Sequence, residues 1–133
     1  GNLTITSGTL DPGANTVTVT GTGVADVYGK LLMTGACNVT VGGALTVKSG
    51  GELNLQGTST LALNAALTVD AGAPKGKLVA SGSPTITKAS TSRYSLTVSG
   101  ELQVNGLTLA NLDANGFTLA SGATVRNQEM AES

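Results

Sequence analysis

Eight carboxylates and one thiol are the residues of this chain best suited to making and breaking bonds: Asp11, Asp26, Glu52, Asp70, Glu101, Asp113, Glu129, Glu132 and the single Cys37. Cleavage of a sugar chain needs two carboxylates converging on one bond, or acidic calcium ligands beside a base. A nucleophilic Cys37 or serine needs a neighbouring base, and the sequence contains no His. With one cysteine and no His, an intrachain disulfide and a zinc site of several Cys or His ligands are both excluded.

The basic residues form a second candidate set. Of the seven Lys and Arg, Lys75, Lys77, Lys88 and Arg93 fall within one stretch, and Tyr94 follows Arg93 directly. A guanidinium grips carboxylates bidentately and a phenol ring offers a stacking face, so these five residues are the candidate contacts for a glycan or other cell-surface ligand. The plainer reading is that the charges solvate protruding loops.

What positions these residues is a repeat. Ala44-Leu45-Thr46-Val47 returns as Ala66-Leu67-Thr68-Val69, a spacing of 22 residues, and a period of that size indicates a solenoid. Short runs that alternate apolar residues with Thr or Asn mark strands with one buried side, and three runs fill each period. The first face carries Val17/Val19, Val39/Val41, Leu61/Leu63, Ile86 and Leu107/Leu109. The second carries Leu3/Ile5, a weaker match near Val24, Leu45/Val47, Leu67/Val69, Leu96/Val98 and Phe117/Leu119. The third carries Leu10, Leu31/Met33, Leu53/Leu55, Leu78/Ala80, Leu102/Val104 and Ala123/Val125. Ser7-Gly8, Ser49-Gly50, Ser99-Gly100 and Ser121-Gly122 mark the corner between the second and third faces, where Gly permits a positive φ. The pattern predicts an all-β fold, a single-stranded parallel β-helix (β-solenoid) over residues 1–126, with about six coils of 21–22 residues and three short strands per coil. Residues 127–133 are polar and are expected to form a tail or loose cap.

This alignment scatters the carboxylates over different faces and rungs, so the chain is expected not to be an enzyme and to need no cofactor or metal. Cys37 falls at a corner position shared with Asn15 and Ser59. Charged residues are 11% of the chain and the net charge is -1, which provides no basic footprint for nucleic acid. No apolar stretch approaches the length of a membrane-spanning helix.

The period breaks in three places. Residues 70–76 lengthen one corner, while residues 88–94 and 111–116 lengthen another on successive rungs. Loops on a rigid scaffold are the usual seat of recognition, and if the first two lie together their basic residues form one patch beside Tyr94.

The segments "LTVSG", "LTVKSGG" and "TLALNAALTV" resemble the right-handed parallel β-helix repeats of bacterial secreted and surface proteins, the autotransporter passengers and haemagglutinin-type adhesins. The resemblance implies secretion or cell-surface display, with adhesive or scaffolding work in place of a reaction.

The outward positions carry the remaining signals. Thr4, Thr46, Thr68, Thr97 and Thr118 line the second face, and Thr18, Thr40, Ala62, Thr87 and Thr108 the first. Thr suits an exposed strand, so these columns read as ordinary solenoid surface. They also resemble the ice-binding faces of some β-solenoids, although Asp26, Lys48, Asp70 and Ala62 interrupt or flank them. On the third face Thr9, Lys30, Glu52, Lys77 and Glu101 alternate in charge and are expected to fix the stacking register. The chain opens on a strand, so pairing with neighbouring repeats of a longer solenoid, or head-to-tail self-association into a filament, is expected.

Overall fold

A computed structural model describes residues 1–126 and the backbone of Ala131–Glu132. The chain climbs in rungs of three strands. The first rung is β1 (Leu3–Ile5), β2 (Thr9–Leu10) and β3 (Thr16–Val19), and the second is β4 (Ala25–Val27), β5 (Lys30–Met33) and β6 (Asn38–Val41). The third is β7 (Leu45–Val47), β8 (Glu52–Leu55) and β9 (Thr60–Leu63), and the fourth β10 (Leu67–Val69), β11 (Lys77–Ser81) and β12 (Thr85–Lys88). The fifth is β13 (Tyr94–Val98), β14 (Glu101–Asn105) and β15 (Thr108–Leu109), and the sixth β16 (Leu112–Leu119), β17 (Thr124–Arg126) and β18 (Ala131–Glu132).

Every third strand joins the same sheet. The result is three six-stranded parallel sheets, one per face: β1-β4-β7-β10-β13-β16 on the second, β2-β5-β8-β11-β14-β17 on the third and β3-β6-β9-β12-β15-β18 on the first. This is the β-solenoid that the repeat predicts. A single rung cannot bury its inner side alone; stacking the next about 4.8 Å away completes its backbone hydrogen bonds and closes an apolar interior. The register places like on like: Leu45 on Leu67 on Leu96, and Val39 on Leu61 on Ile86. Leu45, Leu61, Leu67, Ile86 and Leu96 are wholly buried, each worth roughly 1.5–3 kcal/mol relative to exposure.

Three inward assignments differ from the spacing. Leu3 and Ile5 pair with Ala25 and Val27, so Val24 is not the second-rung match; its N–H donates to Asn2 Oδ1 (3.0 Å) at the corner. Leu102 pairs with Val125, which leaves Ala123 in the preceding corner. Ile86 pairs with Leu109, so Leu107 instead continues a buried corner column, in which Thr60, Thr85 and Thr108 donate N–H to the carbonyls of Cys37, Ser59 and Pro84. Cys37 and Ser59 are therefore interior residues at this corner.

The Ser-Gly corners use glycine for two reasons. Gly8, Gly50 and Gly122 have positive φ (72°, 79° and 89°), as their role in turning predicts. Gly100 does not; a Cβ there would collide with the carbonyl oxygens of Asp70 and Gly76, so close stacking of corners requires it. The expectation of a tail or cap over residues 127–133 lies outside the described residues, apart from Ala131–Glu132, whose backbone pairs with Thr108–Leu109.

Candidate functional site

The lengthened loops sit at two different corners. Residues 70–76 join β10 to β11, between the second and third faces, whereas residues 88–94 join β12 to β13, between the first and second. The five candidate contacts therefore do not form one patch: Lys75 and Lys77 lie at one corner and Lys88 and Arg93 at the other, with the second face between them.

The 70–76 loop is braced in both directions. Below it, Pro74 O accepts hydrogen bonds from Ser49 Oγ (2.6 Å) and Gly50 N (3.0 Å). Above it, Lys75 Nζ reaches past the fifth rung to donate to Gly122 O (2.6 Å) and Thr124 Oγ1 (2.7 Å). Lys75 thus acts as a strut between rungs. Lys77 stands on the third face in register with Glu52 on one side and Glu101 on the other.

Tyr94 is wholly buried, and its hydroxyl donates to Ile86 O (2.8 Å). Its ring fills the corner interior opposite Leu112 and offers no face to a sugar, contrary to the stacking role expected from its place beside Arg93. Arg93 is exposed and Lys88 half-buried at the end of β12. Ser90 Oγ donates to Asn64 Oδ1 (2.9 Å), pinning this loop to the rung below. On the next rung the 111–116 segment is mostly part of β16, bulged where Tyr94 pairs with Leu112 but Leu96 with Phe117. Asp113 Oδ1 accepts the N–H groups of Asn115 (2.8 Å) and Gly116 (3.2 Å), which closes that turn.

The aromatic ring that is exposed belongs to Tyr28 (46% exposed), at the second–third corner, with Lys48 Nζ 5.9 Å from its centroid. The signal was present in sequence, since Tyr28, Lys48 and Asp70 each follow an inward Val of the second face (Val27, Val47, Val69), but the misplaced second rung hid it. The expected column of alternating charge stacks in register: Thr9, Lys30, Glu52, Lys77, Glu101 and Thr124. Lys30 Nζ lies 3.3 Å from Glu52 Oε2, and Arg126 Nε 3.6 Å from Glu101 Oε1. Glu52 also accepts from Asn54 Nδ2 (2.9 Å), and Asn54 Oδ1 from Gln56 Nε2 (3.2 Å), so the polar line runs along β8 as well as across the rungs.

Burial pushes the Cys37 thiol above its ordinary pKa of 9.0, and the Asp11 carboxylate adds to the shift, so the residue is a poor nucleophile as well as an enclosed one. Among the described residues no group of His, Cys, Asp and Glu is placed to hold a metal ion.

The first face carries a second outward rank that the spacing did not reveal. Thr16, Asn38, Thr60, Thr85 and Thr108 pair across successive strands, and beside them run Thr18, Thr40, Ala62 and Thr87. Thr108 belongs to the former rank, not to the column of Thr18. The i, i+2 pairs Thr16/Thr18 and Thr85/Thr87 carried the signal. The second face keeps one Thr column, into which Asp26 fits between Thr4 and Thr46. Compared with known proteins, the chain matches no family model, no curated protein and no solved structure.

Proposed function

We propose that this chain is a non-enzymatic, rigid β-solenoid segment of a secreted or cell-surface protein, serving as an adhesive or structural scaffold. The observation that carries this reading is the continuous three-sheet rod with lengthened segments stacked on one corner at successive rungs, 88–94 and 111–116. A stiff core holds such a corner at a constant position, and Arg93 with Lys88 supplies cationic donors for an anionic glycan or carboxylate. The placement of the acids accords with it: Asp26 lies on the second face, Glu52 and Glu101 on the third, and Asp70 and Asp113 in segments at different corners. Binding of the purified chain to acidic glycans and to cells tests the reading. The double variant Lys88→Ala/Arg93→Ala should lose binding while keeping the parent melting temperature; undiminished binding would remove this corner as the contact.

Head-to-tail association of copies is the second reading. Among the described residues β1, β2 and β3 are each paired on one side only, and such an edge is completed equally by a further repeat of the same chain or by a second copy. Electron microscopy distinguishes the two, since association yields fibres one subunit wide and the scaffold reading yields short separate rods.

A further inference from the structure

We propose that the first face is an ice-binding surface. Its two outward ranks on β3, β6, β9, β12 and β15 are Thr, Asn and Ala, and the charge at their side is Lys88, which ends β12 in register with Leu63, whereas the second face carries Asp26 within its outward column and the third carries Lys30, Glu52, Lys77 and Glu101. No charge thus interrupts the two ranks between Thr16 and Thr108. The register of this side is regular as well, running unbroken from Thr16 to Asn38, Thr60 and Thr85, with Thr18, Thr40, Ala62 and Thr87 two residues along.

The dimensions of this array follow from strand geometry. Rungs repeat at about 4.8 Å, and residues i and i+2 lie about 6.7 Å apart along a strand. Tetrahedral water with O–H···O contacts of about 2.75 Å repeats its second neighbours every ~4.5 Å, and its stacked layers every ~7.3 Å. The mismatch is ~0.3 Å per rung, which over the four steps from Thr16 to Thr108 amounts to ~1.2 Å, less than half of one water repeat. β-Branching limits Thr to few rotamers, so each residue holds a methyl and a hydroxyl in nearly fixed directions. Water between the ranks is thereby held at spacings that an ice surface can continue. A sugar lattice is the poorer match, because recognition of sugar rings favours a stacking aromatic and no outward residue of this face is aromatic. This surface adjoins the Lys88/Arg93 corner, since Lys88 follows Thr87 on β12, but its variants at Thr60 and Thr85 leave both basic residues in place, so the two proposals are tested independently.

Inhibition of ice recrystallisation and thermal hysteresis by the purified chain test the proposal. The parent should slow crystal growth, Thr60→Lys in the middle of the array should abolish the effect, and Thr85→Val, which keeps the shape and removes one hydroxyl, should weaken it. Thr68→Lys places the same charge on the second face and should leave the effect intact. Melting curves accompany each variant; if Thr60→Lys does not fold, Thr85→Val decides. A parent without effect on ice, array variants as active as the parent, or Thr68→Lys as damaging as Thr60→Lys would overturn the proposal. Retention on microcrystalline cellulose without any effect on ice would also overturn it, and would give the face to a polysaccharide lattice.

Discussion

Reversing Glu52 to Lys tests the charge ladder at its centre. Glu52 faces Lys30 across one rung step, at 3.3 Å, and Lys77 across the other. Opposite-charge pairs on neighbouring strands contribute about 0.2–1 kcal/mol each and like charges directly opposite destabilise, so turning two attractions into two repulsions should cost about 1–2 kcal/mol at low ionic strength. The side chains of Lys30 and Glu52 are 38% and 26% exposed, which places their pair toward the lower end of that range. The hydrogen bond from Asn54 Nδ2 is also lost, worth about 1 kcal/mol at any salt concentration. Screening separates the two parts: the Debye length falls from about 10 Å at 0.1 M salt to about 3 Å at 1 M, below the rung spacing. Thermal melting of Glu52→Lys and Glu52→Gln should therefore show a deficit for the Lys variant that shrinks at high salt by roughly 3–8 °C. The Gln variant retains an acceptor for Asn54 and should respond less. An equal loss at low and high salt would refute the ladder as a source of stability.

Two further predictions concern the buried corner column. Ser59 Oγ is buried with no hydrogen-bond partner among the described residues, so Ser59→Ala should raise stability by about 1 kcal/mol in urea titration, and a lower midpoint would count against that placement. The folded Cys37 thiol holds its proton more tightly than the unfolded one, so its contribution is complete below the ordinary pKa of 9.0 and is lost as pH rises through the raised folded value. Stability of the parent should accordingly fall faster above that pH than stability of Cys37→Ala; parallel pH profiles would show that the thiol is not enclosed.

The rungs were legible because each repeats the same physical requirement. An inward Leu or Val must stack on another, so Leu45, Leu67 and Leu96 declare their column in sequence, and the Ser-Gly corners mark where the chain turns. What escaped depended on how many residues a corner consumes, because one residue more or fewer changes which side chains face inward. Ala25 and Val27 were hidden in this way by a short second rung with Asp26 in place of Thr, and Ala123 was displaced by the corner before β17. The sequence suggests an outward Tyr94, whose ring and hydroxyl directly follow Arg93 at the end of a lengthened loop. The Ile86 carbonyl satisfies that hydroxyl inside the corner, which alternation along a strand does not reveal. Separation of the basic loops onto two corners, and the second Thr rank of the first face, likewise emerge only when the strands are stacked in register.

Register is the claim on which the rest depends, and distances along one face measure it directly. Spin labels at Thr4→Cys with Thr97→Cys, and at Thr4→Cys with Thr118→Cys, in a Cys37→Ala background, sit on the outward column of the second face, four and five rung steps apart. Pulsed dipolar spectroscopy should return narrow distributions near 19 Å and 24 Å, about 4.8 Å apart, so that label tethers cancel in the difference. Broad distributions, or a difference unrelated to one rung, would contradict the solenoid and everything placed upon it.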